Sequence, residues 1–508
     1  MAMAEHVKRF HGVWPHGLKG LVSGTATLLF FFFLVVIAAL LNWMNIPIIR
    51  MTSFGQPILT SPTARIHHDR IQYPLNCSTS NTTETCPDNY PSVFELEEST
   101  STETCPDYFR WIHQDLKPWK SSGITQDMIE RGIPSADFRL LVVNGNAYVE
   151  KYRPGFQTRG AFTIWGILQL LRLYPGRIPD LDLLFFTGDK PQIMKRDYKG
   201  RNATSPPPVF HYCGEKAALD IVFPDWTFWG WAEVNITPWE QMLRAIKKGR
   251  ERIKWEEREP YAYWKGNPRV AANRIDLLKC NLSDKIDWNV RLYKQDWRKE
   301  MGQGFRHSNL EDQCTHRYKI YVEGATWSVS EKYILACDSM TLMVKPRYYD
   351  FFSRSMVPMR HFWPIRRNNK CRDLKFAVEW GNNHTREAQT IGKAGSRYID
   401  EMLRMRNVYD YMFHLLNEYS KLLKFKPTIP LEAQRVCAET AACSEKGLWK
   451  EFMMQSMVKS PSDKLPCTLP APYEPRAIQA SLDAKEKITK QVETWEAEYW
   501  EKRNDKKQ

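Results

Sequence analysis

Residues 181–186 read Leu-Asp-Leu-Leu-Phe-Phe, a short and nearly unbroken apolar run closed by Gly188 and Pro191. That pattern predicts a buried strand that opens into a turn just after Phe186. Upstream, two runs at 138–143 and 146–152 flank Asn144-Gly145, a pair that supplies the positive φ angles of a two-residue hairpin turn. A helix is predicted over 161–174, with Ile164, Leu168 and Leu171 on one face, and it leads through Pro175-Gly176 into the apolar strand. Helix followed by buried strand is the alternation of an α/β layer. Downstream, one arrangement occurs twice. Strand 261–265 is followed by Gly266-Asn267-Pro268 and a helix over 269–279; strand 318–322 is followed by Gly324 and a helix opened by a Ser328…Glu331 capping box. A strand at 340–344, a helical pattern over 388–425 and a charged helix over 484–503 complete the outline.

The longest apolar run changes the setting of all this. Residues 21–41 carry no charge and are long enough to cross a bilayer, which predicts an N-terminal transmembrane helix. Lys8, Arg9 and Lys19 precede the run, so residues 1–20 are expected in the cytosol and everything after 41 in the lumen. Residues 42–104, rich in Ser, Thr, Glu and Asn over 76–104, read as a lumenal stem. A net charge of +14 would otherwise suit nucleic acid, but none is present in that compartment, so no nucleic-acid partner is expected. The chain has 11 cysteines, which fit disulfides there, and the odd count leaves at least one unpaired in a monomer. No Cys-x-x-Cys pair or His-rich spacing suggests zinc. Asn-x-Ser/Thr sequons at Asn76, Asn81, Asn202, Asn235, Asn281 and Asn383 agree with passage through the secretory pathway.

Candidate chemistry gathers at the strand ends. Asp189 lies where the strand at 181–186 opens into its loop; beyond the carboxyl end of a strand in an open parallel sheet it is a candidate general base, and the plain alternative is a turn aspartate bonded to its own backbone. Asp180 and Asp182 stand at the start of the same strand rather than after it and would be the metal ligands of a metal-dependent alternative. Residues 206–239 are aromatic and Pro-rich, and 19 Trp in the chain is a heavy load. Asp225, Trp226, Phe228 and Trp229 are expected to form a wall that meets the acceptor, with ordinary core packing as the alternative. Thr237, Pro238 and Glu240 predict a capped helix start. The two strand–glycine–helix arrangements place amides and the basic residues Arg269 and Arg274 where an anion, best a diphosphate, would sit.

Taken together, Cys105-Pro106-x-Tyr108-Phe109-Arg110-Trp111, Asp189-x-Pro191, Pro224-x-Trp226-Thr227-Phe228-Trp229, Tyr263-Trp264-Lys265-Gly266-Asn267-Pro268 and the run Tyr318-Lys319, Gly324, Ser328, Lys332 resemble the family 90 glycosyltransferases, which include Rumi-like protein O-glucosyltransferases and capsule-associated xylosyltransferases. The C-terminal segment looks like that of plant members. The resemblance implies an α/β protein of two Rossmann-like domains facing a cleft, the GT-B type. An acceptor-side domain at 105–258, a UDP-sugar domain at 259–425 and a C-terminal extension at 426–508 follow from it. It also implies an inverting, metal-independent reaction with no cofactor, in which Asp189 is the base. The donor-binding positions it implies are Asn267, Arg269, Arg274, Gly324, Ala325, Thr326, Trp327, Ser328, Val329, Ser330 and Lys332. Ser330 stands where Rumi has an arginine, with Arg269 or Lys332 expected to supply the charge, and Gly188 stands where many plant relatives have a second aspartate. The expected reaction moves glucose or xylose from UDP-glucose or UDP-xylose to a hydroxyl of a protein or polysaccharide. A non-catalytic sugar-binding membrane protein is the rival reading. With no Lys-Asp-Glu-Leu type ending, a Golgi membrane location is expected, with the endoplasmic reticulum as the alternative.

Overall fold

The computed structural model describes Leu75, Cys77, Cys86, residues 103–200 and residues 204–505, all within one compact unit, Asp69–Gln508. The hairpin forms as the Asn-Gly pair dictates. Phe138–Val143 (β1) and Asn146–Lys151 (β2) pair antiparallel with Val143 opposite Asn146, and Asn144 and Gly145 both take positive φ. The helix Arg159–Leu173 then leads into Leu181–Phe185 (β3), every residue of which is buried. Val209–His211 (β4), the two-residue Gly214–Glu215 (β5) and Ile221–Val222 (β6) follow. The second half of the chain supplies Glu259–Gly266 (β7), Val290–Lys294 (β8), His316–Tyr321 (β9), Met340–Val344 (β10), Tyr348–Tyr349 (β11), Trp363–Ile365 (β12) and, near the end, Gln434–Val436 (β13).

Two sheets organise the molecule, and a small β11–β5 pair joins the strands between them. The second sheet, in the order β12-β10-β9-β7-β8, is parallel throughout. Its first strand in sequence, β7, lies inside, with β8 on one flank and β9 on the other. The chain therefore reverses direction across the sheet between β7 and β9, and the crevice beyond the carboxyl ends of those two strands is the place for a ligand. The first sheet, β13-β2-β1-β3-β4-β6, is mixed: β3, β4 and β6 run parallel, while β13, β2, β1 and β3 alternate in direction.

That sheet corrects the expected fold class. The protein is a mixed α/β molecule with several sheets, because β1 pairs antiparallel with both β2 and β3, although helix Arg159–Leu173 lies between β2 and β3 in the chain. The transmembrane part of the expectation is corrected as well: residues 21–41 lie outside the described residues, and among those described no helix is long and apolar enough to cross a membrane. Most of the expected stem also lies outside them, although Cys77 and Cys86 are bonded to Cys443 and Cys437. Cys105–Cys467, Cys280–Cys371 and Cys314–Cys337 complete five disulfides, and the odd cysteine is Cys213, which is buried.

Packing crosses the expected domain boundaries. The single helical stretch expected over 388–425 is two helices, Thr385–Met402 and Met405–Ser420; the second packs into the core of the first sheet through Val408, Met412, Leu415 and Leu416. The last helix, Pro475–Asp505, returns to the second sheet, where Val492 enters its core and Tyr499 lies 5.3 Å from Phe376.

Candidate active site

Asp189 follows β3 by four residues, on a loop bent by Gly188 and Pro191, and its side chain is 51% exposed. One of its oxygens is pinned. Arg159 Nη1 donates to Asp189 Oδ1 at 2.9 Å and to the Thr187 carbonyl at 3.2 Å. The guanidinium, 8% exposed, is held between the rings of Phe156 and Trp226, 4.6 and 4.4 Å from their centroids. Among the described residues Asp189 Oδ2 has no partner, so one oxygen fixes the carboxylate and the other is open to take a proton. Thr326 Oγ1 donates to the Asp189 carbonyl at 2.7 Å and fastens this loop to the loop after β9.

Asp189 stands on a cavity of about 590 Å³ between the two sheets, lined also by Asn267, Arg274, Gly324, Ala325 and Trp327 to Ser330. Residues from the ends of β7 and β9 thus meet the base across one space, as the reversal point between those strands requires. Its charged lining holds Arg159, Lys265, Arg274 and Lys319 against Asp189 and Glu311. The excess of cations suits a diphosphate.

Arg274 joins the two arrangements. Its guanidinium donates to the carbonyls of Asn267 (3.3 Å), Val322 (3.4 Å) and Glu323 (3.1 Å) and to Ser328 Oγ (3.1 Å), and burial pushes its pKa down to about 10. The helices beside it are shorter than the sequence pattern implies, Ala272–Leu277 and Ser330–Leu335. The expected Ser328…Glu331 capping box does not form, since Glu331 is buried instead of reaching back to Ser328, and in the first arrangement Asn267 caps a short 3₁₀ turn at Pro268–Val270. Helix Trp239–Glu251 likewise starts without a side-chain cap from Thr237. The amides of Ser328 and Ser330 are engaged by Tyr321 Oη and Ser328 Oγ, so cationic side chains supply more of the site's positive potential than free helix amides do.

Several expected site residues lie elsewhere. Arg269 is exposed and Thr326 is buried in the loop tie; neither lines the cavity. Lys332 is turned away, with Nζ 3.2 Å from Asp225 Oδ2 and 2.6 Å from Thr227 Oγ1. The acceptor wall is corrected in the same way: Asp225, Phe228 and Trp229 are core residues, and only Trp226 reaches the cavity. The reason lies in helix Arg159–Leu173, where Gly166 leaves the space that the Trp229 ring fills; a Cβ there would come within 2.4 Å of it. Asp182 is buried in a two-bond pair with Arg139 (2.7 and 2.6 Å), and Asp180 accepts from the Asn144 amide at 2.8 Å. Both sit at the far end of β3 from Asp189, holding the hairpin, and neither lines the cavity.

Arg159 and Lys319 are the functional groups the sequence reading missed. An arginine at the start of a largely apolar helix was the available signal for the first. Lys319 Nζ donates to the Gln313 carbonyl at 3.0 Å, and burial pushes its pKa down to about 7.

Comparison with known proteins decides what kind of site this is, since the model of glycosyl transferase family 90 matches residues 100–496. The chain belongs to that family. It is 27% identical over 323 residues to the O-glucosyltransferase rumi homolog of Aedes aegypti, covering 61% of this chain and 77% of that one. It is 26% identical over 332 residues to O-glucosyltransferase rumi of Drosophila melanogaster (62% and 77%) and 24% identical over 333 residues to human Protein O-glucosyltransferase 1 (63% and 81%). As a family 90 chain it is a glycosyltransferase, and the cavity described above lies wholly inside the matched region.

Proposed function

We propose that this family 90 protein transfers glucose or xylose from a UDP-sugar to a hydroxyl of a protein acceptor, with inversion at the anomeric carbon. Asp189 carries the reading. Its carboxylate is fixed through Oδ1, while Oδ2 is open at the rim of a cavity with a cationic lining. Oδ2 removes the proton of the acceptor hydroxyl as that oxygen attacks the anomeric carbon, and the diphosphate leaves toward Arg274 and Lys319. Base assistance of this kind contributes about 10²- to 10⁴-fold, and fixed cations stabilise the leaving group's charge without a metal. The names of the relatives support a protein acceptor and glucose, and the five disulfides support the lumen of the secretory pathway, with the Golgi as the proposed station. The plant-type assignment rests on the segment 426–508.

A screen of UDP-sugars with purified protein, reading UDP release with and without acceptor hydroxyls, tests the proposal. Release that requires both a UDP-sugar and an acceptor, and that persists in EDTA, is the expected result. Activity that is lost in EDTA and restored by Mn²⁺ would overturn the metal-free mechanism, and binding without release would favour a sugar-binding protein.

A further inference from the structure

Along one wall of the cavity, buried donors meet no acceptor among the described residues. Arg159 Nε, Trp226 Nε1 and Trp327 Nε1 are closed to water and have no hydrogen-bond partner among those residues, and all three residues line the cavity. They adjoin one another: the guanidinium lies over the Trp226 ring, and the Trp226 and Trp327 centroids are 6.3 Å apart. The wall belongs to the reacting end of the cleft, because Arg159 holds Asp189 and the loop carrying Trp327 is tied to the Asp189 carbonyl through Thr326.

A buried N–H without a partner is destabilising, and native proteins keep few of them without a reason. Three together beside a candidate base point to a ligand that supplies what they lack. None of the three can accept a hydrogen bond, so the missing partner offers lone pairs. Two are uncharged indole N–H groups set in apolar rings, a surface that suits hydroxyl oxygens on a ring with apolar faces better than it suits a phosphate. On the reading proposed above, a phosphate is met instead by the cationic lining around Arg274.

We infer that this wall is the subsite for the transferred sugar, and that Trp226 and Trp327 bind its hydroxyl oxygens through their indole N–H groups. The inference rests on the UDP-sugar reading above. It makes the two tryptophans specificity-determining residues, since a site built to hydrogen-bond a hydroxyl discriminates strongly against a sugar that lacks it. These N–H atoms are closed to water, so a sugar that bonds to them parts the rings as it seats.

Trp327→Phe and Trp226→Phe test this, because phenylalanine keeps an aromatic ring and removes the N–H. Calorimetric titration with UDP, which lacks the sugar, and with the best UDP-sugar from the screen gives the comparison. Each variant should bind the UDP-sugar about 5- to 10-fold more weakly and UDP within twofold of wild type, with KM for the donor rising in step. Melting temperatures show whether each variant is folded. If Trp327→Phe fails to fold, Trp226→Phe carries the same comparison. Equal weakening of both ligands would move the wall to the nucleotide, and no weakening of either would leave it structural; either result overturns the inference. Wild-type protein that bound UDP but neither bound nor turned over any UDP-sugar would instead show that the proposed function had failed.

Discussion

Replacing Lys332 by methionine separates two accounts of one residue. The sequence motif places its ammonium on the donor; the structure places it in a buried pair that joins the loop after β6 to the helix after β9. Lys332 is 2% exposed and Asp225 4%, with Nζ 3.2 Å from the carboxylate and 2.6 Å from Thr227 Oγ1. Burial alone would lower the lysine's pKa, and the combined pull of Asp225 and neighbouring acids raises it instead. Its stabilising contribution is therefore present throughout the range below about 10.5 and is lost only as pH climbs through the folded value. Breaking one side of a buried pair leaves the other charge uncompensated and destabilises by about 3–5 kcal/mol. Asp225 Oδ1 still accepts from the Thr227 amide at 2.9 Å and from its hydroxyl, so the lower end, about 3 kcal/mol, is expected. The double variant Lys332→Met with Asp225→Asn leaves no lone charge and should recover about half of that loss. Urea unfolding at pH 7, read at its first transition, gives the stabilities, and calorimetry gives the affinity for UDP. A Lys332→Met protein within 1 kcal/mol of wild-type stability that bound UDP tenfold more weakly would refute the structural account and return Lys332 to the donor.

Three further outcomes are expected. Asp189→Asn should lower kcat by at least about 100-fold and leave UDP binding within a few-fold and stability unchanged, because the side chain is half exposed; a variant with more than a tenth of wild-type turnover would remove Asp189 from the reaction. Arg274→Ala should weaken UDP binding by about 2 kcal/mol and lower the melting temperature as well, since its fork closes both donor loops; lysine, a single point charge, should not rescue it. Nδ1 of His361 accepts from the Val357 amide at 3.0 Å, and burial pushes its pKa down to about 4. The folded state thus holds it neutral, so its contribution is complete above about pH 6.5 and is lost as pH falls toward 4. His361→Gln should flatten the fall in urea midpoint between pH 6.5 and 4.5, and an unchanged fall would show that other groups cause it.

Local chemistry made much of this legible. Asn144-Gly145 specified a hairpin, the apolar run before Asp189 specified β3, and the two glycine-closed strands marked the lip of the cavity, because each of these signals acts through neighbouring residues. Partners far apart in sequence were not legible. Nothing local shows that Arg159 reaches Asp189 thirty residues on, that Lys332 answers Asp225 rather than a phosphate, or that Gly166 makes room for Trp229. The aromatic segment shows the same limit: a run of tryptophans reads alike whether its faces meet a sugar or a helix, and burial alone decides. The β1–β3 pairing that makes the sheet mixed joins strands separated by a hairpin and a helix, and β13 arrives almost three hundred residues after β2, the strand it flanks, so neither was legible locally.

The disulfide pattern sets an order of assembly. Cys77, Cys86 and Cys105 pair with cysteines 366, 351 and 362 residues later, whereas Cys280–Cys371 and Cys314–Cys337 close over 91 and 23. At a synthesis rate of roughly 5 to 20 residues per second, the first three thiols wait about 20 to 70 s for their native partners. The later pair of bridges can form within that interval. The part of the chain made first is thus the last to be sealed, and a nascent chain stalled before Cys437 would carry three reactive thiols and an open sheet edge on β2.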